Sequence, residues 1–425
     1  MNSKLDKIKV RLFGEEVGIL AYDSIKAESY FQYNEAFLKS KRYTTIFPSV
    51  IKRVPQTQLF KNYKEHTFRG LPPMIADSLP DDFGNQVFNE WIKSKDIDKH
   101  KLSPIYQLAY LSNRGMGALE YFPGKSLPKA GKINLDAITG ILRKVLDVKK
   151  NHEELELSDL ALLNIFKLGS SPGGARPKVI VSEHKKTKVL IPGDVEYSND
   201  YNHYLVKLNM DNDDGYSREL VEFGYYKLAL LAGLDMMPCK MIDNKHFATL
   251  RYDRIKGEKI HVLTATGISG YNFQDPAVST YENVFEIANN LNLPSADIDA
   301  LFRRMVFNYV FHNVDDHLKN HSFIYEKDND RWRISPSYDI NYSLNALRKW
   351  PNAPHMLSLN NKNTQIDTSD LLTIAKTYAV KSPKKVILEV CKAISHWETI
   401  ATALKIPERV YNSIKEDFTD YSNML

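Results

Sequence analysis

The sequence predicts an α+β protein, β-rich in its first part and mostly α-helical in its last third. Two patterns carry this. Early segments such as KIKVRLFGEEVGILAY alternate apolar and polar residues around a Gly14-Glu15-Glu16 turn, as a hairpin does. Late in the chain Phe302, Met305, Val306, Tyr309 and Val310 recur at the i, i+3, i+4 spacing of a helix face. The composition of the 425 residues, 43% hydrophobic and 26% charged with 19 Gly and 19 Pro, excludes disordered, collagen-like and low-complexity classes. Such a length leads us to expect about three domains or large subdomains, here residues 1–125, 126–267 and 268–425.

Cys239 and Cys391 lie far apart without a CxxC, which excludes a disulfide framework or a cysteine-rich zinc site and suits a reducing compartment. A net charge of +5 is too mild to argue for direct nucleic-acid binding. Lys4, Asp6, Lys7 and Lys9 interrupt any secretory apolar run. No uncharged stretch approaches the ~20 residues of a membrane helix. A soluble cytoplasmic protein with no membrane partner is expected.

Residues 68–85 begin and end as loop, and 103–123 read as a short helix stopped by Gly115 or Gly117. A linker at 123–132 precedes an amphipathic helix, INLDAITGILRKVLDVKKN. Residues 169–193 read as a Gly-rich loop entering a hairpin that turns near Lys185-Lys186. HYLVKLN (203–209) is a strand with Tyr204, Val206 and Leu208 on one face and Leu205 and Lys207 on the other. A helix spans 216–234, capped by Asp214 or Ser217, and 239–267 hold two further strands.

Three segments carry chemistry. In SSPGGARPK (170–178) adjacent glycines allow close backbone approach, and Arg176 and Lys178 suit phosphate, although most Gly-Gly pairs are turns. In HNVDDHLKNHSF (312–323) Asp315, Asp316, His317, Lys319, Asn320 and His321 crowd together. The spacing Asp315-x-x-x-x-Asn320 is that of a kinase catalytic loop, where the Asp takes the substrate hydroxyl proton and the Asn holds Mg²⁺. In RWRISPSYDINY (331–342) Asp339 follows a strand, where a second anionic metal ligand belongs. Lys207 is the candidate strand cation, otherwise a snorkelling surface lysine. Glu219 and Glu222 on the next helix are its candidate carboxylate partners, with Glu222 nearer the apolar face of Tyr225, Tyr226, Ala229 and Leu230. The order of these parts is that of a bilobal protein-kinase-like fold, with a β-rich N-terminal lobe and a helical C-terminal lobe.

These residues resemble the HipA serine/threonine kinases, the toxins of bacterial type II toxin–antitoxin pairs, over nearly the whole chain. GLPPMIADSLPDDFG (70–84) and LAYLSNRGMGALEYFP (108–123) resemble the family's N-terminal region, and SSPGGARPK its serine-bearing loop. ENVFEIA (282–288), DDHLKN and SPSYD resemble the kinase core, and HMLSLNNK (355–362) the strand after it. The resemblance implies ATP and Mg²⁺ as cofactors, with Asp315 as catalytic base and Asn320 and Asp339 as metal ligands. It implies a phosphate loop including Gly173, Gly174, Ala175, Arg176 and Lys178, with phosphate contact from Lys207 and a structural ion pair through Glu222. His317, Lys319 and Tyr338 would line the nucleotide site, and backbone groups near Leu263 and Thr264 would face adenine. Ser171, with Ser170 as its neighbouring alternative, aligns with an autophosphorylated loop serine; a phosphate there adds roughly −2 charge inside a phosphate-binding loop. The resemblance further implies an aminoacyl-tRNA synthetase as substrate and a HipB-like helix-turn-helix antitoxin as partner, with DNA reached mainly through that antitoxin. Two departures stand out: HVLTATG (261–267) replaces the family's Gln-Glu-Asp-Phe-like hinge, and Arg176-Pro177 replaces the common Gln-Glu.

Two other readings compete. In a metal-dependent phosphohydrolase, His312 with Asp316 and His317 with His321 would be ligands spaced i, i+4 on a helix. Such an enzyme has no use for Lys207 or the Gly-rich loop. A silent nucleotide-binding corepressor would not need the full set of acidic groups.

Overall fold

The computed structural model describes residues 6–80, 84–85, 88–89, 92, 103–125, 132–151, 177–193, 198–210, 214–350 and 352–425. They form two compact units. The first holds Met1–Met210, Leu250–Gly270 and Ile324–Arg331; the second holds Asp211–Thr249, Tyr271–Phe323 and Trp332–Leu425.

The first unit opens with an antiparallel sheet of β1 (Asp6–Leu12), β2 (Glu15–Asp23), β3 (Glu28–Tyr33), β4 (Gln58–Phe60) and β5 (Leu119–Phe122), ordered β4-β3-β2-β1-β5. Ile8, Val10 and Leu12 alternate into its core. The β1–β2 turn is tighter than expected. Glu15 and Glu16 already pair with Leu12 and Arg11, leaving Phe13 and Gly14, both at positive φ, as the two-residue hairpin loop that strand twist favours. Residues 103–123 differ more. Helix α1 (Pro104–Leu111) stops at Ser112, which has φ 50°, before either glycine. The end of the segment is then β5, which lies against β1 and buries Leu119 and Tyr121 in alternation.

Helix α2 (Leu135–Asn151) forms as the amphipathic pattern predicts. Strands β6 (Lys178–His184), β7 (Leu190–Pro192) and β8 (Tyr201–Lys207) follow, with the β6–β7 turn at residues 185–187. β8 starts two residues earlier and ends two earlier than the apolar pattern suggests, and Leu208 donates its N–H to Pro177 instead of continuing the ladder. Beyond the two strands expected in 239–267, three more short ones appear at Arg254–Ile255, Glu258–Lys259 and His261–Thr264.

Two buried carboxylates lock the first unit's loops. Asp253, fully buried, accepts hydrogen bonds from Arg251, Arg254 and the Gly117 amide. Despite burial, those two guanidiniums hold its carboxyl far below the usual carboxylate range. Arg254 reaches on to the carbonyls of Gly115 and Gly117, so the glycines of the NRGMG stretch are pinned by the YDR segment. Asp77, from the GLPPMIADSLPDDFG segment, likewise grips Thr264 through both its amide and its hydroxyl.

In the second unit, α3 (Arg218–Leu231) precedes the hairpin of β9 (Cys239–Ile242) and β10 (His246–Leu250). Of the two candidate caps, Ser217 is the one used, accepting from the Leu220 amide; Asp214 pairs with Arg218. Helices α4 (Tyr281–Asn290) and α5 (Ser295–Val310) form the centre of the unit, with all five predicted residues of α5 buried. Next in the chain come β11 (Ser322–Glu326) and β12 (Arg331–Ile334), whose residues 324–331 belong to the first unit, and then four helices of the second unit, Thr368–Thr377, Pro383–Lys392, Trp397–Ala403 and Glu408–Lys415. The segment after the core is not a strand: Ser358 and Leu359 make only isolated bridges, to Thr280 and Lys362. Among the described residues, no helix is long and apolar enough to cross a membrane.

Candidate active site

Helix α5 ends abruptly. Phe311 leaves helical geometry and His312 takes φ 52°, so residues 313–317 are irregular before one 3-10 turn at Leu318–Asn320. This removes the helix on which His312–Asp316 and His317–His321 would have served as metal-ligand pairs. Among the described residues, no group of three or more His, Cys, Asp or Glu is gathered to hold a metal.

This irregular stretch leaves its two aspartates in different surroundings. Asp316 is fully buried. Its Oδ2 accepts from Tyr281 Oη at 2.7 Å and lies 3.0 Å from His355 Nδ1, while its Oδ1 accepts from the Leu357 amide at 3.2 Å. Asn308 and Asn313 extend this network behind Tyr281. Burial raises the Tyr281 hydroxyl well above the usual phenol range, so it stays a donor. Asp315 by contrast has a side chain 46% exposed, with His317 Nε2 3.8 Å from its carboxylate.

Asn320 closes the loop. Its Nδ2 donates to the Asp315 carbonyl at 2.6 Å, and its own amide donates to the His317 carbonyl. With Nδ2 spent there, Oδ1 is the atom left to meet a cation. His321 is buried, and its ring lies against the Asp316 carbonyl. Burial, reinforced by Arg304, lowers it to about 3 and keeps it neutral. Phe273 supplies an aromatic surface to both flanking candidates: its ring centre is 5.0 Å from the His317 ring and 5.0 Å from Lys319 Nζ.

Asp339 sits in left-handed geometry at φ 55°, with Asn341 beside it. The turn before it is anchored from α5, where buried Arg304 donates to Ser337 Oγ at 2.8 Å and to the Ser335 carbonyl at 2.6 Å. Tyr338 donates to the Lys319 carbonyl at 2.6 Å, tying the Asp339 turn to the Asp315 loop. On α3, Glu222 and Glu219 are both buried, whereas Leu230 is 47% exposed, so the buried stripe runs through Val221, Tyr225 and Leu228 rather than Leu230.

In the first unit Lys207 is no snorkelling surface residue; it is 8% exposed, and the β6–β8 register sets it directly opposite Lys178, 5% exposed. Leu263 is buried. The Thr264 amide is committed to Asp77, and its hydroxyl caps the helix Ala265–Ser269, so that amide is not on offer to an adenine ring. Ser170, Ser171, Gly173, Gly174, Ala175 and Arg176 lie outside the described residues.

The fold is protein-kinase-like. Over 98% of this chain and 96% of the other, the structure matches HipA of Shewanella oneidensis, solved as a complex of HipA, HipB and operator DNA, with a TM-score of 0.67 at 14% identity. The sequence model of the HipA-like C-terminal domain matches residues 170–420, and that of the HipA N-terminal domain matches 8–122. The chain belongs to the HipA family. It is 21% identical to "Putative kinase Y4dM" of Sinorhizobium fredii over 359 residues, 79% of this chain and 77% of that one. The Helicobacter pylori proinflammatory kinase CtkA is more distant, with a TM-score of 0.34 at 14% identity over 51% of this chain and 90% of that one.

The residues that sequence reasoning left without a role are Tyr281, Asn308, His355, Arg304 and Phe273. None sits in a recognisable spacing with the loop it supports.

Proposed function

We propose that the protein is an ATP- and Mg²⁺-dependent serine/threonine protein kinase of the HipA type. The observation that carries this is the split between the paired aspartates: Asp316 is spent on holding the loop, and Asp315, on a loop closed by Asn320, presents its carboxylate outward. Asp315 accepts the proton of a substrate Ser or Thr hydroxyl as that oxygen attacks the terminal phosphorus of ATP, the bond from that phosphorus to the bridging oxygen breaks and ADP leaves. The oxygen donors of Asn320 and Asp339 fit a hard cation and would hold Mg²⁺, which would supply charge neutralisation to the transferring phosphoryl group. His317, Lys319 and Tyr338 flank the nucleotide.

Lys178 and Lys207 support the phosphate assignment. Both are buried and share one rung of the β6–β8 ladder, so they offer two cations at one place on the sheet. The loop containing Gly173, Gly174, Ala175 and Arg176 completes the phosphate site, Glu222 serves as the structural carboxylate of α3, and Leu263 lies at the adenine end.

Autophosphorylation at Ser171, or at Ser170 beside it, switches the kinase off. The protein substrate is of the aminoacyl-tRNA synthetase class, and a HipB-like antitoxin is the partner through which DNA is reached. The HipA of Shewanella oneidensis, solved with HipB and operator DNA, supports this assembly. The protein works in the cytoplasm, with residues 1–125 as an N-terminal subdomain, 126–267 as the N-lobe and 268–425 as the C-lobe.

The test is phosphate transfer from ATP to protein Ser or Thr. Asp315→Asn is expected to lower it on the order of 10³-fold with an unchanged thermal midpoint. Near-normal transfer by that variant would remove Asp315 from the mechanism.

A further inference from the structure

We propose that Met356 is a specificity-determining residue that seats an apolar side chain of the protein substrate beside the phosphoacceptor Ser or Thr. This rests on the kinase reading above and names which substrate segments that site accepts.

The placement of Met356 is over-determined by its neighbours. Asp316 holds the chain on both sides of it, through His355 Nδ1 at 3.0 Å and through the Leu357 amide at 3.2 Å. Both flanking residues are buried, His355 at 7% and Leu357 at 0% exposure. Met356 itself donates its amide to the Val314 carbonyl at 2.9 Å, which bonds it to the residue immediately before Asp315. With its own amide bonded and both neighbours held, one by its ring and one by its amide, its side chain is left 42% exposed.

A single exposed apolar residue needs no explanation in general. This one differs because the network that positions the catalytic loop also fixes it next to that loop. A substrate chain that brings a hydroxyl to Asp315 brings a neighbouring residue over Met356. Methionine is unbranched and polarizable, so it accommodates a range of apolar shapes instead of one. The occupant is therefore a protein segment in which Ser or Thr is flanked by Leu, Ile, Met or Phe, and a charged flanking residue is disfavoured.

The experiment uses the full chain, Mg²⁺ and ATP, and a library of peptides with a central Ser or Thr and every flanking position varied. The wild type is expected to select apolar residues at one flanking position. Met356→Ala loses that selection. Met356→Glu transfers it to Lys or Arg at the same position, and its kcat/KM for an apolar-flanked peptide falls about tenfold, carried by KM. Unfolding midpoints close to wild type are expected for both variants, because the replaced side chain is exposed. Unchanged selection in Met356→Glu would overturn the inference and leave the kinase reading standing. So would transfer to the protein's own serine with none to any peptide. Absence of both kinds of transfer in the wild type would overturn the kinase reading, and the inference with it.

Discussion

Asp316 and His355, distant in sequence, meet inside the second unit with His355 Nδ1 3.0 Å from the Asp316 carboxylate. That contact separates two adjacent, chemically identical residues into different roles. Replacing Asp316 by Ala strands the donors of Tyr281, Leu357 and His355 in a buried site, and is expected to cost about 2–5 kcal/mol of stability. Replacing Asp315 by Ala removes a half-exposed group and is expected to cost less than about 0.5 kcal/mol. Urea unfolding of the two variants measures the difference; equal losses would refute the division of roles.

The Asp339 turn should set the Mg²⁺ requirement. Asp339→Asn keeps the shape of the side chain and removes its charge. It is expected to raise the Mg²⁺ concentration giving half-maximal transfer by about tenfold or more, since carboxylate charge sets affinity for hard cations. A Mg²⁺ titration of transfer at saturating ATP reads this directly, and an unchanged midpoint would place the metal elsewhere.

Arg304 should act at a distance on the same turn. Its planar fork bonds Ser335 and Ser337 together, a geometry that lysine cannot reproduce. Arg304→Lys is expected to cost about 1–3 kcal/mol and also to raise the Mg²⁺ midpoint, which a purely structural loss elsewhere in the unit would not do.

Acid should destabilise the first unit through two buried histidines. Burial lowers His261 to about 4, against the pull of its bond to the Ile46 carbonyl. Burial first, and then Arg251, lowers His203 to about 4, where its Nδ1 lies 2.7 Å from Ser182 Oγ. Each is neutral in the folded state and protonates near 6.5 when unfolded. The unfolded state therefore binds more protons between those values. Stability is full above about 6.5 and falls as pH drops towards about 4, by up to about 1.4 kcal/mol per pH unit for each histidine. His261→Gln should lessen the slope of unfolding free energy against pH in that window; an unchanged slope would contradict the assignment.

What was legible in the sequence was local. The stripe of α5 shows because five apolar residues sit at helical spacing and all are buried. The Asp315 to Asn320 spacing shows because one side chain closes one short loop. What escaped depends on distant partners. Nothing near Asp316 says that it faces inward; that is decided by Tyr281 and by the 355–357 segment. β5 was missed because it is four residues long and follows a glycine-rich stretch, and its partner β1 lies at the other end of its domain. The Thr264 amide looked free until Asp77 reached it from far upstream.

The central claim is that this chain transfers phosphate from ATP to a hydroxyl by means of Asp315. Intact mass with peptide mapping, before and after incubation of dephosphorylated protein with ATP and Mg²⁺, tests it most directly, with wild type and Asp315→Asn run side by side. The account predicts gain of one phosphate on Ser171 or Ser170 in the wild type and none in the variant. Equal gain in both, or no gain in a wild type that hydrolyses ATP to ADP, would contradict it.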